Sequence, residues 1–314
     1  MPNNTTTIDE KNTARSRATL SRPTPLTLQL LTLAFRIGGT ISPKLTGYIA
    51  YKLWISPPRF KLPASEIDAL ASAEINTQKI NGQNIATFSW GHCGPTILLI
   101  HGWSGRGTQM GSLAKSLVAA GYRVLSFDAP AHGKSSGRQT NIFEISETIL
   151  GLNKLHGPFE SIITHSFGGP CLAHAMQNGL NTTRVVNISP PSTTAGLVKK
   201  FALALSIPER AENALMRRIE SKFGQDVWQK TSMENNVRDL DLPALVIHDL
   251  DDLDVPWHEG ETVAHAWSNV SFIKTSKLGH RRILRDPETI KNAVEFIKSG
   301  TDFKNCDVAV NASM

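Results

Sequence analysis

Cysteine is scarce in this sequence of 314 residues. Its three cysteines, Cys93, Cys171 and Cys306, are far apart and odd in number. This spacing provides neither a disulfide framework nor a Cys-x-x-Cys metal site. Because scattered, unpaired cysteines fit a reducing compartment best, we predict a cytoplasmic protein.

Long apolar runs and nucleotide-binding glycine motifs are also missing. No apolar run reaches the roughly 18 residues that a membrane-spanning helix needs. The nearest candidate, residues 26–35, follows a long polar stretch and makes a poor secretory signal. The glycines of GWSGRG, residues 102–107, lack the spacing of a P-loop or a dinucleotide fingerprint, and no metal-ligand pattern occurs. We therefore predict that the protein needs neither a cofactor nor a metal.

Acidic residues are scarce near the N-terminus. Residues 1–62 contain nine lysines and arginines but two acids, whereas the other 252 residues are nearly neutral, with a net charge of −1. With no zinc-finger spacing and no RNA-binding signature, we expect no nucleic-acid partner. A basic segment with apolar residues can make weak contact with an anionic membrane surface. The simpler alternative is that its helices pack on the rest of the protein.

Composition and hydrophobic periodicity divide the chain into segments. Two helices with a turn at 38–44 are predicted within residues 26–56. From residue 74 onward, strand and helix patterns alternate, which predicts an α/β fold with a mostly parallel central sheet flanked by helices. The predicted segments are a disordered tail (1–25), a helical extension with a linker (26–73), a core (74–191 and 242–300), a helical lid inserted between two strands (192–241) and a C-terminal tail (301–314).

Six short apolar runs of the core have the length and composition of buried strands, and a hairpin with a turn at Asn81-Gly82 precedes them. Helical spacing predicts that helices separate or follow these strands. The predicted strands are 75–80 and 83–90 in the hairpin, then 96–100, 123–127, 161–164, 184–188, 244–248 and 270–274; the predicted core helices are 109–120, 142–155, a helix from about 167, 258–267 and 287–298.

Three polar side chains follow three different predicted strands. They are Ser166, Asp252 and His280, in that order along the chain. Reactive groups in an open parallel sheet belong at the carboxyl ends of its strands. A serine hydroxyl is a weak nucleophile that needs a base within hydrogen-bond reach, and the base needs a third group to fix its tautomer. The three residues supply these parts.

Five motifs occur in order along the core: HGWSG at 101–105, FDAPAHGKS at 127–135, THSFGG at 164–169, IHDLDDLDVP at 247–256 and GHRRILRDP at 279–287. With these motifs the sequence resembles the α/β-hydrolase family over roughly residues 74–300. The resemblance implies a nucleophile at Ser166, an acid at Asp252, a base at His280 and no cofactor.

The turn around Ser166 departs from the usual G-x-S-x-G pattern. Gly168 fits the second glycine, but Thr164 replaces the first, and its β-branched side chain needs extra room. The structural alternative is that Ser166 is a helix N-cap. The acid also has a rival, because Asp251 adjoins Asp252 in a loop rich in aspartate.

The two N–H groups that would bind an oxyanion are predicted in the same family motifs. They are the backbone amides of Trp103, in HGWSG, and Phe167, just after the nucleophile. Their rings would line an apolar acyl pocket, unless both only pack in the core. The other histidines are given other roles: a structural one for His101, a structural or pocket-lining one for His132, and positions on a surface helix for His258 and His265.

The sequence thus predicts a serine hydrolase that cleaves a small or medium carboxylic ester. Its partner would be a small-molecule acyl substrate. The same residues would also serve hydrolysis of a thioester, an amide or a carbon–carbon bond, or acyl transfer, because one fold hosts many reactions. A non-catalytic binding protein on the same fold is the alternative from another class.

Overall fold

The predicted strands form one eight-stranded sheet in the computed structural model, which describes residues 26–300. The strand order is β1-β2-β4-β3-β5-β6-β7-β8, and only the pairs β1–β2 and β2–β4 are antiparallel. The fold class predicted from the sequence is confirmed. The strands are β1 (Glu74–Ile80), β2 (Gln83–Trp90), β3 (Thr96–Ile100), β4 (Arg123–Phe127), β5 (Ser161–His165), β6 (Arg184–Ile188), β7 (Ala244–Asp249) and β8 (Val270–Thr275).

Helices cover both faces of this sheet, so its central strands are buried at every position. In β3, β5 and β7 no residue is exposed, which explains why these strands occur as continuous apolar runs. The α-helices are α1 (Leu26–Ile41), α2 (Pro43–Trp54), α3 (Ile67–Ala71), α4 (Gly111–Ala119), α5 (Ile142–His156), α6 (Gly168–Gln177), α7 (Thr194–Ala204), α8 (Glu209–Phe223), α9 (Val227–Lys230), α10 (Met233–Asn236), α11 (Trp257–Ala266), α12 (Gly279–Arg282) and α13 (Pro287–Lys298).

Two hydrophobic cores lie on opposite faces of the sheet. One includes buried residues of α5, α6 and α11, such as Ile149 and Val263. The other includes buried residues of α4 and α13, such as Leu117 and Ala293. The carboxyl ends of the parallel strands lie at the same end of the sheet. Ser166, Asp252 and His280 come after the strands β5, β7 and β8 at this end.

The insertion between β6 and β7 is helical, as predicted. Residues 192–241 contain α7 to α10 and no strand. A third hydrophobic core joins this insertion to the N-terminal helices, with Tyr51 of α2 beside Leu215 and Ile219 of α8. The insertion therefore packs against α1 and α2 as well as the sheet, and its action as a lid remains a prediction.

The N-terminal helices pack more closely than their sequence suggested. The predicted turn at 38–44 is wrong in extent, because α1 continues to Ile41 and α2 begins at Pro43. An ideal Cβ on Gly39 would lie 2.6 Å from Pro208 Cδ, so this glycine packs against the start of α8 while remaining helical. Within residues 26–300 no helix has the length and apolar character to cross a membrane. The predicted tails, 1–25 and 301–314, lie outside the described residues.

Candidate active site

Ser166 occupies a tight turn between β5 and α6. Its φ is +51°, in the left-handed region that residues other than glycine rarely adopt. Its backbone N–H donates to the carbonyl oxygen of Ile188 at 2.9 Å, which ties the turn to β6. The first turn of α6 has Phe167 at the N-cap position and no side-chain cap. The Ser166 hydroxyl therefore does not serve as a helix cap.

Two glycines leave the space that this turn needs. An ideal Cβ on Gly102 would lie 2.8 Å from Ser166 Cβ, and one on Gly168 would lie 2.7 Å from the carbonyl oxygen of Ile100. A side chain at either position would collide with the turn or with the end of β3. The backbone after β3 thus lies directly beside the Ser166 side chain.

Thr164 is accommodated by a hydrogen bond across the sheet. Its side chain is fully buried, and its hydroxyl donates to Asn187 Oδ1 on β6 at 2.6 Å. The hydroxyl is directed toward the neighbouring strand, where it has a partner. The departure from glycine therefore leaves the turn intact.

His280, which is partly buried, forms a hydrogen-bonded pair with buried Asp252. The Nδ1–H of His280 donates to Asp252 Oδ2 at 2.7 Å. The other carboxylate oxygen, Oδ1, accepts from the backbone N–H groups of Asp254 and Val255 at 2.9 and 2.8 Å. Burial by itself raises the pKa of Asp252, but hydrogen bonds with His248 and His280 outweigh it and hold the pKa well below its usual range. Asp252 therefore stays ionised next to the imidazole.

The neighbouring aspartates hold the loop that carries His280. Buried Asp249 accepts from the backbone N–H of Gly279 at 2.8 Å, and exposed Asp251 accepts from the N–H of Lys277 at 2.7 Å. Of these aspartates, Asp252 is the one hydrogen-bonded to the His280 ring. Asp249 and Asp251 fix the backbone on which that ring is mounted.

Ser166 and His280 face one open cavity. Gly102 and Trp103 line the same space. Within residues 26–300 there is no hydrogen bond from the Ser166 hydroxyl to the His280 ring, whose partner is Asp252. Hydrogen bonds of catalytic groups are often long without substrate and shorten in the complex.

The backbone amides of Trp103 and Phe167 are available at this cavity. Neither N–H has a hydrogen-bond partner among the described residues. The two rings meet edge to face with their centroids 5.4 Å apart, and both line an apolar cavity that also reaches Ser166. The rings therefore border the site rather than only the core.

The apolar cavity has a volume of about 900 Å³ with its open mouth included. One wall comes from α2, where Trp54 stacks on Trp103 with centroids 6.3 Å apart. Sequence reasoning missed Tyr51 and Trp54 as cavity residues. The sequence feature that could have identified them is a second face of α2, on which Gly47, Tyr51 and Trp54 recur at helical spacing.

His101 and His132 have structural roles, as predicted. His101 Nε2 accepts from the N–H of Ala129 at 3.0 Å, and His132 Nε2 accepts from the N–H of Ser104 at 3.0 Å. Burial lowers the pKa of His101 to about 4 and that of His132 to about 3, so both rings are neutral at neutral pH. They hold together the two loops that follow β3 and β4.

Residues 97–292 match the sequence pattern described as "Alpha/beta hydrolase family". This match covers more than half of the chain, so the protein belongs to the α/β-hydrolase family. In residues 26–300 no group of three or more His, Cys, Asp or Glu side chains could hold a metal ion.

Two curated relatives are lipases by name. The chain is 33% identical to the sn-1-specific diacylglycerol lipase ABHD11 of Mus musculus over 138 residues, 41% of this chain and 45% of that protein. It is 28% identical to the lysophosphatidylserine lipase ABHD12 of Xenopus tropicalis over 219 residues, 62% of this chain and 55% of that protein. The chain thus spans about half the length of the curated relatives it matches.

Solved structures resemble the fold at low sequence identity. Mouse alpha/beta hydrolase domain-containing protein 10 matches 72% of this chain and 98% of its own, with a TM-score of 0.58 and 16% identity. A bacterial membrane phospholipase A matches 87% of this chain and 97% of its own, with a TM-score of 0.58 and 17% identity. Such identities establish the shared fold alone.

Proposed function

We propose that the protein hydrolyses a carboxylic ester through an acyl-enzyme on Ser166. The observation that carries the proposal is the pairing of His280 with ionised Asp252 at the cavity that Ser166 faces. An activated serine needs such a base and such an orienting carboxylate. We also propose a cytoplasmic site of action, which the scarce and scattered cysteines support.

The reaction proceeds in two proton-balanced steps. His280 takes the proton of the Ser166 hydroxyl as its oxygen attacks the acyl carbon, and Asp252 stabilises the imidazolium. The imidazolium then gives this proton to the departing alcohol, which leaves the acyl group on Ser166. His280 next deprotonates a water that attacks the acyl-enzyme, and it returns that proton to Ser166 as the acid is released.

The oxyanion of each tetrahedral intermediate is bound by the amides of Trp103 and Phe167. Their N–H groups lack other partners in the described part of the chain, so binding an oxyanion breaks no existing bond. Phe167 also adjoins the N-terminus of α6, whose dipole favours negative charge.

The acyl group lies in the apolar cavity. Trp103, Phe167 and the α2 side chains Tyr51 and Trp54 supply apolar walls, and Ser166 lies at the same cavity. Apolar lining with few polar groups suits a hydrocarbon chain. The two curated relatives are named as lipases of diacylglycerol and of lysophosphatidylserine, which also favours an ester of an acyl chain as the substrate.

The test is the intact mass of the protein after incubation with a fluorophosphonate, which reacts with a serine that a base activates. We expect one adduct on the wild type and none on Ser166→Ala. The matched control is Ser112→Ala, which removes another serine of the same cavity and keeps the adduct. Turnover of aryl esters of increasing acyl length then defines the substrate. A folded wild type that gains no adduct and turns over no ester would overturn the proposal.

A further inference from the structure

The outer sides of α1 and α2 are exposed and apolar. Their side chains are between 39% and 78% exposed. On each helix they recur at helical spacing along one side. We call this surface the outer helical face, and its members are Leu26, Leu30, Leu33, Ile37 and Ile41 on α1 and Leu45, Tyr48, Ile49 and Leu53 on α2.

The opposite sides of the same helices are already packed. Phe35 of α1 and Ala50 of α2 belong to the core shared with α8. An ideal Cβ on Gly47 would lie 2.7 Å from Ala214 Cβ, so α2 and α8 are in close contact. The helices are thus held in place while most of the outer helical face stays exposed. Its one cation–π contact with α8 within residues 26–300 is at Tyr48, where the Arg218 guanidinium lies over the ring at 4.7 Å from the centroid. An apolar surface of this extent marks an interaction site.

The charges around this surface indicate its partner. Arg36, Lys44 and Lys52 are exposed on the same two helices, and no Asp or Glu occurs between Lys11 and Ser65. Basic side chains beside an apolar helical surface suit an anionic bilayer, whose lipids attract lysine and arginine. A second copy of the chain fits less well, because its basic side chains would meet these ones.

The length of α1 favours contact along the bilayer surface. Its 16 residues span about 24 Å, which is shorter than the hydrocarbon core of a typical bilayer. A helix with one apolar side and basic neighbours lies in the interface with that side embedded.

We infer that the outer helical face docks onto an anionic lipid bilayer. The inner side of α2 carries Tyr51 and Trp54, which line the cavity at Ser166. Docking therefore brings the bilayer next to a helix that borders this cavity. If the proposed ester hydrolysis is correct, on which this step rests, esters held in a bilayer are the preferred substrates.

Vesicle co-sedimentation of the full chain tests the docking. The vesicles are mixed phosphatidylglycerol and phosphatidylcholine, with phosphatidylcholine alone for comparison. The test variant, Leu33→Glu with Ile37→Glu, places charges in the centre of the outer helical face. The matched control is Leu155→Glu, which charges a leucine on α5 that is 55% exposed and lies outside this face.

We expect the wild type and Leu155→Glu to bind the anionic vesicles, and the double variant to bind with a partition coefficient at least about tenfold lower. A charge variant, Arg36→Glu with Lys44→Glu, should also bind less, and wild-type binding should weaken in salt and on phosphatidylcholine alone. Equal sedimentation of wild type and double variant would overturn docking. A wild-type dimer that the double variant abolishes, with no vesicle binding, would assign the surface to a second copy instead.

Two further readouts separate this inference from the proposed reaction. The fluorophosphonate adduct and the turnover of a water-soluble ester should be equal in wild type and double variant, because Leu33 and Ile37 lie outside the cavity. Turnover of an ester embedded in anionic vesicles should fall in the double variant and in the charge variant, and should stay at the wild-type level in Leu155→Glu. Vesicle binding without any adduct or turnover would disprove the ester hydrolysis and support the docking.

Discussion

His165 donates a hydrogen bond from its ring Nε2–H to the backbone carbonyl oxygen of His280 at 2.9 Å. The two rings are in contact, with centroids 4.7 Å apart. His165 directly precedes Ser166, so this bond joins the turn that carries the proposed nucleophile to the loop that carries the proposed base. Burial, aided by the adjacent His280, lowers the pKa of His165 to about 3 and keeps its ring neutral. A neutral ring with its proton on Nε2 can hold that carbonyl across the neutral pH range.

We predict that His165→Ala lowers kcat for a soluble ester by about tenfold, because the loop of His280 loses one hydrogen bond that positions it. KM should change little, since His165 does not line the apolar cavity. His165→Gln keeps an N–H donor and should restore part of kcat. Steady-state kinetics and thermal unfolding of all three proteins check this. A kcat that falls only in proportion to the folded fraction would refute the positioning role.

The roles of the adjacent aspartates can be separated by matched substitutions. Asp252→Asn removes the charge that stabilises the His280 imidazolium and should lower kcat by about a thousandfold or more. Asp251→Asn should stay within about threefold of wild type, because Asp251 is exposed and holds only the N–H of Lys277. Equal losses in kcat would contradict the assignment of Asp252 as the acid.

The fold was predictable because its strands are buried on both faces. Continuous apolar runs such as 96–100 and 161–164 are typical of strands covered by helices, and the structure confirms both. The positions of Ser166, Asp252 and His280 at strand ends follow from the same pattern. Their catalytic roles remain predictions.

The details that sequence reasoning could not reach depend on contacts between distant segments. Nothing near Thr164 indicates that Asn187 on the next strand accepts its hydroxyl, so the fit of a threonine in the turn could not be foreseen. The spacing of Leu45 and Ile49 correctly predicts a helix, but periodicity does not say which side packs. In α2 the packed side is the one with Gly47, because a small residue permits the close contact with α8.

Acid should destabilise the protein through its buried neutral histidines. Burial and the nearby His101 lower the pKa of His132 from its ordinary 6.5 to about 3. The unfolded chain therefore binds a proton at this position below about pH 6.5, whereas the folded protein does not until about pH 3. The stability that His132 contributes is complete above the unfolded pKa and decreases as the pH falls toward the folded pKa.

We predict that lowering the pH from 7 to 5 reduces the free energy of unfolding by about 2 kcal/mol through His132, because the unfolded chain takes up a proton there and the folded protein does not. His132→Asn removes the titrating ring and should reduce this pH dependence, whatever its effect on stability at pH 7. The control His258→Asn replaces an exposed histidine of α11 and should leave the dependence unchanged. Urea unfolding of the three proteins at several pH values measures it. Identical slopes in wild type and His132→Asn would show that the folded protein protonates this ring as readily as the unfolded chain does, which would refute the lowered pKa.

The wall that α2 contributes to the apolar cavity gives a prediction about chain length. Trp54 stacks on Trp103 and contacts Phe201 of α7 edge to face at 5.4 Å, so it closes the cavity between the core and the insertion. Trp54→Ala removes this ring and enlarges the cavity. We expect a shift toward longer acyl chains and a KM for medium-chain esters about tenfold higher, because apolar contact with the acyl group is lost.

The matched control for this prediction is Leu53→Ala, on the adjacent position of α2 but outside the cavity. It should keep the chain-length profile of the wild type on soluble esters. The profile is measured as kcat/KM over a series of aryl esters, with fluorophosphonate labelling of Ser166 to confirm that each variant retains an active site. If Trp54→Ala keeps the wild-type profile while labelling normally, the acyl chain does not occupy this cavity. The larger, more polar cavity shared by Ser166, His280 and Arg285 would then be the binding site to test.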